Sequence, residues 1–143
     1  MLTERDWVMR LVKQLADFIA RALKLASESR REEALELLRQ TCSSELGMEY
    51  EVLAMLDAAA AVELLGHASR ALAFAQLVEA MAEVETRSGE PLRAEGRRRH
   101  ADELLAAILK RWPRHPEAIA WSAARVKPGE APAGFTGSTE TAD

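Results

Sequence analysis

The chain has 143 residues, 48% of them apolar and 5% aromatic, with a formal net charge of −4. That length supports a single domain with its own core, and the surplus of acid argues against a nucleic-acid backbone as the main partner. The lone cysteine, Cys42, excludes a disulfide framework and a Cys-x-x-Cys metal or redox pattern, and fits a reducing compartment.

The opening MLTERDW mixes charges of both signs and starts no apolar run of signal-peptide length. No later stretch approaches the ~20 apolar residues that a membrane span needs, so the expected location is the cytoplasm. A first helix is predicted over residues 4–27, with Thr3 or Asp6 as its cap. Trp7, Leu11, Leu15, Phe18, Ala22 and Leu25 form one stripe, and Val8, Val12, Ile19 and Leu23 widen it. A face that broad demands more than one neighbour, either helices on both flanks or a second subunit; homodimerisation through this helix is therefore an expectation. The polar break SESRR offers Ser27 or Ser29 as the next cap, and Ser29 followed by Glu32 and Glu33 has the pattern of a capping box. The second helix then runs over 30–44, with Ala34, Leu35, Leu37, Leu38 and Cys42 on its buried side, and Gly47 closes it. Residues 48–65 read as two short helices or one bent one, with Asp57 a candidate cap, and Gly66 stops them.

Residues 67–87 are strongly helical, with Ala71, Leu72, Ala75, Val78, Met81 and Val84 near one face. They should pack antiparallel to the stretch that follows, through a turn at Ser88 and Gly89. Pro91 suits the first turn of a helix. Ala94, Ala101, Leu104, Leu105, Ile108 and Trp112 then recur at helical spacing, until Pro113 ends the run by biasing Trp112 away from the α region. Pro116 and Glu117 open a last short helix. From residue 127 the composition turns to Gly, Pro, Ser and Thr, a flexible tail in expectation, so the division is a helical domain over 1–126 and a tail over 127–143.

The run PRHPEAIAWSA, Pro113 to Ala123, resembles the junction between tetratricopeptide repeats, where a proline closes one repeat and a Glu-Ala-aromatic stretch opens the next. Gly89, Ala94 and Ala101 fall at the spacing of that repeat's turn glycine and small packing residues, and Ser29, Ala34 and Leu38 partly repeat the pattern upstream. Arg97 and Arg98 depart from it, standing where an aromatic or Leu would pack. Over roughly residues 4 to 112 the layout is similar to a family of small uncharacterised bacterial proteins with tetratricopeptide-like helices. The resemblance implies an all-α, TPR-like stack of five to six helices, and no activity.

The residues announce no chemistry of their own. Glu63 and His67 share a helix face, as do His100 and Glu103, but neither pair has further ligands in sight, and an ordinary surface role is preferred for both. Cys42 on an apolar face is read as a small hydrophobe, and Gly134 and Gly137 lack the strand and helix of a phosphate loop. No enzyme activity, cofactor or metal is expected. The feature with most functional character is basic: residues 91–115 carry 7 Lys and Arg against 3 acids. Residues 97–100 point in four directions about 100° apart and cannot serve one surface, so Arg98 is expected to turn inward to Glu79 or Glu83. The expected function is a non-enzymatic protein-interaction module, an adaptor or assembly factor. Arg93, Arg97 and Arg111 would line a groove with Trp112 and Trp121 for a protein or acidic peptide. A self-assembling structural protein is the alternative, and a nucleic-acid binder a weaker one.

Overall fold

A computed structural model describes residues 4–125; the expected tail lies outside the described residues. Among those residues all regular structure is helical: α1 (Glu4–Ser27), α2 (Arg31–Thr41) running into a π-helical turn at Cys42–Leu46, α3 (Tyr50–Met55), α4 (Ala58–Leu65), α5 (Ala68–Arg87), α6 (Pro91–Arg111) and α7 (Pro116–Ala124). None of them is long and apolar enough to cross a membrane. Seven α-helices stand among the described residues, rather than five or six. Residues 48–65 divide because Leu56 and Asp57 are both extended, and the Asp57 carboxylate accepts from the Ala60 N–H at 2.8 Å.

The axis of the fold is α5. Alanines and large apolar residues alternate along it so that nearly every side is apolar, the pattern of a helix buried all round. Phe74, Leu77, Val78, Met81 and Val84 are wholly inaccessible, each worth about 1.5–3 kcal/mol of burial. Around it pack α1, α2, α4 and α6. Helix α6 runs antiparallel to α5, since Arg97 meets Met81 and Glu85 while His100 lies edge-on to Phe74. Helix α1 runs parallel to α5: Trp7 meets His67 at their N-terminal ends, and Arg87 reaches Ser27 and the Leu23 carbonyl at the other.

The turns after α1 and α5 share one geometry. In each, the N–H three residues past the helix bonds the carbonyl five back, Arg30 to Leu25 and Glu90 to Glu85, both at 2.9 Å. The residue between adopts a left-handed conformation, Ser29 at φ 64° and Gly89 at φ 75°. The expected capping box at Ser29 does not form, because Ser29 is used to close α1; Arg30 takes the cap position and binds Glu33 through two bonds of 2.6 and 2.8 Å. Gly47 and Gly66 end their helices as expected. Between them, Arg70 of α5 donates to two helix-terminal carbonyls, Leu65 at 3.1 Å and Leu46.

One charged group lies at the centre. Glu85 has a fully buried side chain and accepts from Arg31 Nε at 2.6 Å, Arg31 Nη2 at 3.1 Å and Arg97 Nε at 3.0 Å. Arg97 continues to the Tyr50 hydroxyl at 3.2 Å. Burial pushes the carboxyl pKa up, but the bonds and charges of Arg31 and Arg97 outweigh it and hold the group below the ordinary carboxylate value. The cluster joins α2, α5, α6 and the start of α3.

Two outcomes follow. Ser29→Gly relieves a left-handed serine and should raise stability by about 0.5–1 kcal/mol in denaturant unfolding. Glu85→Gln leaves two arginines short of an anion in the interior and should cost about 3–5 kcal/mol. Because the folded-state pKa is lowered, the Glu85 contribution is fully present above the ordinary carboxylate range near ~4.3 and fades as pH falls through the lowered value. The stability gap between wild type and Glu85→Gln should therefore be flat near neutrality and narrow below about pH 4.

Candidate functional site

Pro113 cannot supply an N–H to continue α6, and Trp112 leaves the helical region at φ −128°, ψ 72°. The chain turns, and α7 starts at Pro116 with His115 as its cap, the imidazole Nδ1 accepting from the Ala118 N–H at 3.2 Å. Helix α5 begins the same way: His67 Nδ1 accepts from the Ser69 N–H at 3.1 Å. These two helix starts and the first turns of α1 enclose an open groove of about 640 Å³. Val8, Met9 and Trp112 supply apolar wall, while Arg5, His67, His115 and the acidic Glu117 supply polar groups. Trp7 stands edge-on to His67 with ring centroids 5.5 Å apart, backing that wall.

Of the expected site residues, Trp112 lines this groove, Arg111 stacks on the Trp112 ring beside it, and the other three lie elsewhere. Trp112 is half-buried in the wall, and the exposed Arg111 lies over its ring, 5.0 Å from the centroid. Arg93 sits on the same helix eighteen residues before Arg111, about 27 Å away along a straight α-helix. Its side chain is 66% exposed, with Glu90 at 3.7 Å. Arg97 is committed to the buried Glu85 and is not part of this groove's lining. Trp121 is half-buried under the Arg125 guanidinium, 4.9 Å from its ring centroid, and Arg125 in turn pairs with Glu79 and Asp102. Arg98 turns inward as expected, 3.7 Å from Glu79 and 3.5 Å from Glu83, with a 2.9 Å bond to Thr86.

A second groove of about 670 Å³ lies between α1 and α2. Its charges are mixed and largely paired with each other, Arg30 with Glu28 and Glu33, so it presents no single sign to a ligand. Among the described residues no group of three His, Cys, Asp or Glu side chains converges. Cys42 is buried, and burial, then the charges of Glu49 and Glu51, pushes its thiol up to about 12; it carries no thiolate near neutrality. Burial also holds the His100 imidazole below its ordinary pKa.

Sequence reasoning missed Arg5, Met9, His67 and His115 as neighbours. The signal for the histidines was present: each stands directly before a helix start, where an acceptor side chain is favoured. Because Nδ1 accepts, a neutral ring carries its proton on Nε2. Replacing His67 or His115 with Ala should each lower stability by about 0.5–2 kcal/mol in thermal unfolding, while Asn in their place retains most of it. Comparison with family models, with curated proteins and with solved structures gives no significant match.

Proposed function

We propose that the protein is a non-enzymatic interaction module whose TPR-like helical stack binds a protein or peptide segment in the groove at the α6–α7 joint. The observation that carries this reading is the groove itself, in which an apolar wall of Val8, Met9 and Trp112 lies beside the cationic Arg5 and two helix starts. Apolar wall with a few convergent polar groups suits an apolar side chain attached to a polar backbone. Arg5 and the partial positive charge at the start of α5 favour an acidic group at that end of the groove, as does the exposed Arg111 beside Trp112, while Glu117 at the start of α7 directs such a group away from the α7 end. The stack reading is supported by parallel α1 and α5, each followed through the same turn by an antiparallel helix. Consumption of Arg97, Arg98 and Arg125 in ion pairs disfavours nucleic acid, which needs contiguous free cations on one face.

The test is a nuclease-treated affinity purification from native cells with chemical cross-linking, comparing wild type with Trp112→Ala and Arg5→Glu. A partner retained by wild type, weakened by either substitution and cross-linked near the first turn of α1 or the joint supports the reading. Recovery of the same partners by all three proteins overturns it.

A further inference from the structure

The described residues end at Arg125, and the point from which the chain continues is fixed. Arg125 pairs with Glu79 of α5 and Asp102 of α6 while covering the Trp121 ring. Helix α7 spans nine residues, so Arg125 stands about 15 Å along it from His115 in the groove lining. Glu79 gives the same scale, since it lies about 18 Å along α5 from His67. Phe135 comes ten residues after Arg125, and in residues 127–143 it is the sole aromatic or large aliphatic side chain. A ten-residue connection covers roughly 17 Å as a random coil and at most about 31 Å as polyproline II. Either length reaches the groove. A tether whose mean span matches the distance gives its end an effective concentration on the order of millimolar.

The tail also has the chemistry that the groove selects. In the apolar wall Met9 is 63% exposed and Trp112 half-buried, which leaves surface for one more apolar side chain. Arg5 and Arg111 are exposed and form no ion pair among the described residues. Residues 127–143 carry Glu130, Glu140 and Asp143 against Lys127 alone. Glu130 falls within the connection, whereas Glu140 and Asp143 follow Phe135 by five and eight residues. With Phe135 on the wall, a chain entering from α7 past Glu117 carries these two acids onward to Arg5 and the start of α5. We propose that the tail of this same chain is the resident occupant of the groove, with Phe135 packed on Val8, Met9 and Trp112 and Glu140 meeting Arg5, so that a partner segment binds by displacing it. The inference rests on the groove being a peptide site and adds its regulation from within one chain.

The probe is a labelled synthetic peptide of residues 128–143, added to the whole chain. Phe135→Ala in the chain should tighten peptide binding at least about tenfold over wild type, whose own tail competes. Phe135→Ala in the peptide should abolish binding. Met9→Cys combined with Phe135→Cys should oxidise to a disulfide within one chain. Leu92→Cys with Phe135→Cys is the control: Leu92 is 82% exposed and about 30 Å along α6 from Trp112, so this pair should oxidise far more slowly. Equal peptide affinity for the two chains, no peptide binding to either, disulfides between copies, or equal rates for the two cysteine pairs overturns the proposal. A native partner weakened by Trp112→Ala alongside any of those results leaves the groove reading standing and removes only the tail, so the two failures are told apart.

Discussion

A carboxylate taken out of water must be met by positive charge and hydrogen bonds, or the fold loses several kcal/mol. Glu85 is that carboxylate. It lies on the helix that every large element packs against, and the arginines that satisfy it come from two different helices. Apolar contacts alone allow α2 and α6 to slide along α5 with modest loss. A bidentate guanidinium at 2.6 and 3.1 Å does not allow it. The cluster therefore sets register where the alanine-rich packing sets only proximity. It also gives Arg97 its place: the guanidinium is directed at a buried anion.

Much of the helical layout was legible from punctuation. Gly47, Gly66, Gly89, Pro91, Asp57, Pro113 and Pro116 each act at the place their backbone chemistry predicts, since these residues bias φ, ψ or a cap locally and need no tertiary information. Ser29 was misread for the same reason. Serine is favoured at helix starts, and only the five-back hydrogen bond from Arg30 shows that the chain uses it at a helix end. Buried charge was the least legible. Nothing within a window of α5 distinguishes Glu85 from Glu83, two residues away and partly exposed; the partners of Glu85 lie 54 and 12 residues distant. Arg98 was placed correctly because its partners follow from simple antiparallel pairing across one turn, whereas Arg97 required knowing which face of α5 is enclosed.

The candidate groove was half legible. Trp112 drew attention as an aromatic at a proline joint, and the structure puts it in the wall. The opposing wall comes from the start of α1, about a hundred residues earlier, and the parallel course of α1 and α5 brings it there. A basic run on one helix, by contrast, spreads around and along that helix, so Arg93 and Arg111 serve opposite ends of the bundle. Helix geometry, rather than charge count, decides what a cluster of arginines does.

The two carbonyls held by Arg70 bracket residues 47–65, so this segment leaves the bundle and returns to it at a single guanidinium. Topologically it is a closed excursion, tied at its neck. Helix α4 is needed inside, where Ala61, Val62 and Leu65 are buried, whereas α3 buries only Leu53 fully and exposes Met55. Lengthening the chain at the Leu56–Asp57 bend adds to a loop whose closure entropy grows only with the logarithm of its size. Residues added at that bend therefore cost this fold little, while the neck and the Glu85 register stay as they are.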